Sequence, residues 1–134
     1  MFVLDTSVAV AWHFEDQGND YVIRVWDRLT NERAVVPKLF LAEFANAIVS
    51  AVRSRKVSRE DAGTIILGMA SLPIDVDRDG DWNEASVVME LATGLNLTAY
   101  DATYLQLALA RRIPLATQDR ALLDAARTLG VTVL

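Results

Sequence analysis

Cysteine is absent from this sequence, which removes disulfides, thiolate zinc sites and a cysteine nucleophile together and agrees with a reducing compartment. Histidine occurs once, as His13, so a histidine pair acting as acid and base on a ribose hydroxyl is excluded. A Ser-His-Asp triad would depend on that same residue, with no nucleophile-elbow motif to support it. His13 itself reads as a solvated or capping residue near a helix end. No apolar run approaches the roughly 20 residues that a bilayer span needs, and no basic region leads into a signal-type core. A cytoplasmic protein is expected. Linker-like stretches are missing as well, so residues 1–134 are expected to form a single domain. The formal charge of −5 counts against casual binding of nucleic acid, whose phosphates are normally held by Lys and Arg. It does not count against a metal site made of carboxylates, because a bound divalent ion reverses the local sign of the field.

What the sequence does contain is a generous apolar share, 52%, dealt out as short strands alternating with amphipathic helices. Phe2-Val3-Leu4 runs straight into Asp5-Thr6-Ser7, after which a helical pattern begins and continues to about Phe14. Asn19 or Asp20 can cap a helix whose stripe is Tyr21, Val22, Val25, Trp26 and Leu29. Ala34-Val35-Val36 is a short buried strand stopped by Pro37, and a helix follows from Lys38 to about Arg55. Ser58-Arg59-Glu60-Asp61 opens another helix with a capping-box pattern. The stretch Ile74 to Asp81 resembles a calcium loop, but the position that needs a bidentate Glu holds Ser86, so a strand with Ile74 and Val76 inward explains it better. Asp79 or Asp81 caps the next helix, which Gly94 is expected to end. Thr98 and Asp101 stand at another helix start, Ile113 to Thr117 is a strand with Asp119 at the helix start beyond it, and Val131-Thr132-Val133-Leu134 closes the sheet. Strands alternating with helices in this way build an α/β fold on a parallel sheet.

Four acids share one positional property. Asp5, Glu43, Asp101 and Asp119 each lie at, or one helical turn beyond, the place where a strand gives way to a helix. Ligands of open parallel sheets collect beyond the carboxyl ends of the strands. Capping explains any one of these acids, but four at one edge repel each other unless a cation lies between them. Mg²⁺ or Mn²⁺ is the natural partner, since hard ions take oxygen ligands and leave places for water and phosphate. Such an ion can activate water and steady the charge that builds on a phosphodiester under in-line attack. Thr6, Ser7 and Thr117 supply donors near the same edge, while Arg53, Arg55, Lys56 and Arg59 form the one basic cluster.

The set Leu4-Asp5-Thr6-Ser7, Glu43 with Asn46, Tyr100-Asp101-Ala102-Thr103-Tyr104-Leu105 and Leu115-Ala116-Thr117-Gln118-Asp119 resembles the PIN-domain ribonucleases, and more narrowly the VapC-type toxins of toxin–antitoxin pairs. The match runs the length of the chain, in order. The resemblance implies a three-layer α/β/α sandwich on a parallel sheet of strand order 3-2-1-4-5. It implies that Asp5, Glu43 and Asp101 are the core metal-binding acids, that Asp119 is a fourth, more variable one, and that Thr6, Ser7, Asn46 and Thr117 hydrogen-bond around the acids or the bound phosphate. It also implies a Mg²⁺- or Mn²⁺-dependent endoribonuclease acting on tRNA or rRNA and leaving a 5′-phosphate. The expected partners are a second copy of the chain, in a homodimer, and a small antitoxin that covers the active site and inserts an arginine.

Rivals are weaker. A catalytically silent PIN-like protein-binding module would be expected to have lost Asp5 or Asp101. A receiver-type signalling domain wants a lysine late in the sheet, whereas the only lysines are Lys38 and Lys56. A phosphatase with an aspartyl nucleophile lacks its second Asp two residues beyond Asp5.

Overall fold

The computed structural model describes residues 1–134, the side chain of Glu15 apart. Its elements in chain order are β1 (Phe2–Leu4), α1 (Thr6–Ala11), a 3-10 turn (Glu15–Gln17), α2 (Asp20–Arg28), β2 (Ala34–Pro37), α3 (Leu39–Arg53), α4 (Arg59–Ala70), β3 (Ile74–Asp77), α5 (Trp82–Leu95), α6 (Ala99–Arg111), β4 (Leu115–Ala116) and α7 (Arg120–Thr128). The apolar runs form strands because they are short, β-branched and buried on both faces, which is how a covered parallel sheet reads in sequence. All three residues of β1 and the first three of β2 are buried almost completely.

The four strands pair in parallel in the order β3-β2-β1-β4. This is the expected order up to its last member. The fifth place is held by a single bridge, Leu115 to Val133, fastened by Leu115 N–H donating to the Thr132 carbonyl and Leu134 N–H donating to the Leu115 carbonyl. A longer fifth strand has nothing to pair with, because β4 is itself two residues long.

Helices cover both faces. On one side α6 lies against β1, β2 and β4 and touches α5 and α7; on the other α1 touches α2 and α3, and α3 touches α4. The result is the expected three-layer sandwich. Side-chain caps fix most helix starts. Asn19, Ser58, Asp81, Thr98 and Asp119 each accept a backbone N–H of the first turn of α2, α4, α5, α6 and α7 respectively. Gly94 does not end α5. It lies inside the helix, and Asn96 takes the left-handed cap at φ 53°, a conformation that Asn tolerates through its short polar side chain. Among the described residues, no helix is long and apolar enough to cross a membrane.

Strand register sets the site. Leu4 pairs with Ala116 and Val3 with Leu115, and Asp5 N–H continues that ladder to the Ala116 carbonyl at 2.9 Å. The next residues, Asp5 and Thr117, therefore emerge side by side at the carboxyl edge of the sheet, next to the starts of α1 and α7.

Because β1 is the central strand by burial, shortening one of its side chains opens a cavity that the flanking strands cannot close. Leu4→Ala, at a position 0% exposed, is expected to lower unfolding stability by about 2–5 kcal/mol. Leu67→Ala, at a position 73% exposed, is expected to change it by about 0.5 kcal/mol or less. Urea denaturation of the two variants beside the parent chain checks both values.

Candidate active site

Asp5 occupies the cap position of α1 with extended backbone, yet its side chain makes no capping hydrogen bond. The carboxylate is 5% exposed and is held instead by two hydroxyls. Ser7 Oγ donates to Oδ2 at 2.5 Å and Thr117 Oγ1 donates to the same oxygen at 2.7 Å. Burial pushes the Asp5 carboxyl above its ordinary pKa of 3.8; the Ser7 and Thr117 hydroxyls oppose this, and the charges of Asp101 and Glu43 add to it. Those two charges show that the three acids lie within one electrostatic neighbourhood.

Glu43, on the first half of α3, is half-buried. Its Oε2 accepts from Thr6 Oγ1 at 3.0 Å and from the Tyr104 hydroxyl. Asp101, in the first turn of α6, is tied to Thr98: its N–H donates to Thr98 Oγ1, whose own proton goes to Asp101 Oδ2 at 2.7 Å. Asp119 caps α7 through Oδ1, which accepts Leu122 N–H at 2.8 Å. Its backbone N–H donates to Thr117 Oγ1 at 3.0 Å, so Thr117, 1% exposed, links Asp119 directly to Asp5.

The second rank of predicted residues divides. Ser7 and Thr117 brace Asp5, and Thr6 braces Glu43. Each hydroxyl has a single proton: those of Ser7 and Thr117 go to Asp5 and that of Thr6 to Glu43 or the Tyr104 oxygen, so these residues organise the acids and do not offer donors to a phosphate. Ser7 Oγ also accepts Gln118 N–H at 3.0 Å, and Thr117 N–H donates to the Tyr21 hydroxyl at 3.0 Å. Asn46, one turn beyond Glu43, is exposed, and its side chain forms no hydrogen bond among the described residues. His13 is half-buried and not fully solvated. Its Nε2 is buried without a partner, its ring packs edge-on against Phe44 at 5.8 Å, and burial lowers its pKa, which keeps it neutral near pH 7 and apart from the acids.

Tyr104 and Gln118 are the contributors that the sequence pattern passes over. Tyr104 falls on the apolar stripe of α6, so its ring reads as core. The one available signal is its spacing, a single helical turn beyond Asp101.

The chemistry of the donors fits a hard cation. None of the ion pairs among the described residues involves Asp5, Glu43, Asp101 or Asp119. Each of the four uses one carboxylate oxygen for the hydrogen bonds above, and the other oxygen accepts none among the described residues. The acids share a field and not yet a point, since no three Asp, Glu or His side chains of the described residues stand close enough together to cage an ion. Asp5, Glu43 and Asp101, with Asp119 reached through Thr117, are the residues that would hold such an ion.

A family model described as the PIN domain matches residues 2–128. Among solved structures, the chain is similar to PAE2754 from Pyrobaculum aerophilum, at 26% identity and TM-score 0.70 over 92% of this chain and 83% of the other. It is also similar to a chain of VapBC2 from Rickettsia felis, bound to a DNA fragment from their promoter, at 16% identity and TM-score 0.70 over 99% and 96% of the two chains. FitAcB from Neisseria gonorrhoeae aligns at 19% identity and TM-score 0.61 over 100% and 96%. No curated protein sequence matches.

The raised Asp5 carboxyl makes stability depend on pH in a defined direction. Between 3.8 and its higher folded pKa, the native state binds more protons than the unfolded chain, so stability falls as pH rises through that window. At pH 7, without divalent ions, Asp5→Asn is expected to melt a few degrees higher than the parent chain. The gap is expected to shrink as pH is lowered through the folded pKa toward 3.8, as the parent carboxyl takes up its proton. Thermal melts of both proteins from pH 7 to pH 4 check the sign.

Proposed function

Because the chain belongs to the PIN-domain family, we propose that it is a Mg²⁺- or Mn²⁺-dependent endoribonuclease, a VapC-type toxin held in check by a cognate antitoxin. The observation that carries the proposal is the state of the four acids. They line one sheet edge with no Lys or Arg paired to them among the described residues, and each keeps one oxygen clear of hydrogen bonds. For Asp5, 5% exposed, a structural role alone would ordinarily bring a cationic partner, since buried charges are paired.

In this reading, Asp5, Glu43 and Asp101 present hard oxygen donors, and Asp119 adds a fourth beside Thr117. A bound Mg²⁺ or Mn²⁺ supplies Lewis-acid stabilisation of the phosphodiester and a water of lowered pKa. The residues of the chain do the rest. Ser7 and Thr117 fix the Asp5 carboxylate from two sides, which holds one oxygen back and leaves the other toward the site. Burial of Asp5 lowers the local dielectric, so its charge acts on a cation more strongly than a surface carboxylate would. His13, neutral and walled by Phe44, takes no part in proton transfer.

The partner reading rests on the resemblance and on the similar structures, two of which carry the names VapBC2 and FitAcB. An antitoxin arginine is electrostatically suited to a cluster of acids that has no paired Lys or Arg among the described residues. A homodimer and a cytoplasmic location belong to the same proposal.

Purified protein free of antitoxin, incubated with total cellular RNA and Mg²⁺ or Mn²⁺, is expected to produce defined metal-dependent 5′ ends. Asp5→Asn and Asp101→Asn are each expected to reduce cleavage at least about 100-fold, a loss of about 2.7 kcal/mol of transition-state stabilisation. Mapping of new 5′ ends measures both and names the target. Equal survival of RNA with folded wild type and variants, in either ion, replaces the nuclease with the protein-binding module.

A further inference from the structure

We propose that Tyr104 is a positioning residue for the Glu43 carboxylate, selecting which of its oxygens is left for a bound divalent cation. The inference rests on the metal-site reading of Glu43 given above. Tyr104 is 1% exposed; its ring belongs to the apolar core, and only its hydroxyl faces the acids. That hydroxyl donates to Glu43 Oε2. Thr6 Oγ1 lies 2.7 Å from the Tyr104 oxygen and 3.0 Å from the same Glu43 oxygen, so three oxygens from three helices form a closed triangle.

Counting protons in the triangle decides what it does. The phenol has one proton, the threonine hydroxyl one, and the ionised carboxylate none. With Tyr104 donating to Glu43, the Thr6 proton goes either to the same carboxylate oxygen or to the phenol oxygen. In both arrangements Oε2 is the bonded oxygen and Oε1 is left clear.

A buried tyrosine wants a partner for its hydroxyl in any case, and Glu43 could be no more than that partner. The geometry argues for more. Glu43 sits half-buried on a helix, where a free glutamate samples many rotamers. Here it is fixed by residues 37 and 61 positions away in the chain, from α1 and α6, the helices that begin at Asp5 and just before Asp101. The side chains that set Glu43 are thus anchored to the same two helix starts as the other acids. Outer partners of this kind typically change metal affinity by about 10- to 100-fold when removed.

The test is Mn²⁺ binding to the full chain, followed by electron paramagnetic resonance of the free ion, for wild type, Tyr104→Phe, Glu43→Gln and the double variant. Tyr104→Phe keeps the buried ring and removes the hydroxyl. It is expected to fold and to weaken Mn²⁺ binding about tenfold, with no further weakening when it is added to Glu43→Gln. Thr6→Val, which removes the other hydroxyl, is expected to weaken binding in the same Glu43-dependent way. Wild-type affinity in Tyr104→Phe overturns the inference. So does an undiminished loss on the Glu43→Gln background, the absence of Mn²⁺ binding by wild type, or failure of Tyr104→Phe to melt cooperatively, since the hydroxyl would then hold the fold and not the ligand. A wild type that binds Mn²⁺ without cutting RNA overturns the function proposed above and leaves the tenfold criterion intact.

Discussion

The carboxylate of a residue 5% exposed, with no cation paired to it among the described residues, is expensive to fold around, and the neighbourhood of Asp5 is arranged to limit that cost. Register makes it possible. Pairing of Leu4 with Ala116 brings Thr117 alongside, and the turn into α1 brings Ser7 back, so both hydroxyls reach one oxygen of Asp5. Hydrogen bonds to an ionised group are the strong ones. They do not remove the penalty of burial, since the Asp5 carboxyl remains above its ordinary pKa. The structure therefore keeps a destabilising charge at the end of its central strand, which is the pattern expected where function and not stability selects the residue.

The same logic extends outward by one step. Thr6 stands between Asp5 and Ser7 in the chain but turns to Glu43. Successive residues at the start of α1 thus serve two different acids from two different elements. Thr117 serves Asp5 with its proton and Asp119 with its lone pair. Four hydroxyls, from Thr6, Ser7, Tyr104 and Thr117, are devoted to two carboxylates. An acidic chain of net charge −5 gains little from long-range attraction of RNA. Under the function proposed, the chemistry would depend on this short-range order, with a divalent ion supplying the positive charge that these acids lack among the described residues.

Much of this was readable from the amino-acid order. Short β-branched runs separated by helical stripes mark the strand ends, and once the ends are marked the acids at Asp5, Glu43, Asp101 and Asp119 stand out. Cap chemistry was readable too, because Asn19, Ser58, Asp81 and Thr98 do what their side chains do locally. Other features depend on tertiary placement and leave no local trace. Val131 to Leu134 has the composition of a strand but only a two-residue neighbour to pair with. Asn96 displaces Gly94 as the terminator of α5, since the helix runs one residue past the glycine and Asn96 takes the left-handed cap. His13 is polar by type and is nevertheless half-buried, with Nε2 buried and unpartnered. Tyr104 is apolar by pattern, and a single oxygen atom 61 positions from its partner lies beyond any periodicity.

Capping and chemistry look like competing explanations for an acid at a helix start, and in sequence they are. A carboxylate has two oxygens, and the structure divides them. Asp119 caps α7 with Oδ1, Asp101 accepts its capping threonine with Oδ2, and in each the second oxygen carries no hydrogen bond among the described residues. The cap fixes the rotamer, and a fixed rotamer holds the remaining oxygen in a constant direction, which lowers the entropy lost when a ligand is bound. Asp5 shows why the arrangement is not an accident of capping. It stands in the cap position with its side chain withheld from the cap, and hydroxyls from α1 and from the end of β4 do the fixing instead. Where the helix can orient the carboxylate, it does so; where burial prevents it, side chains from elsewhere in the fold take over the same task.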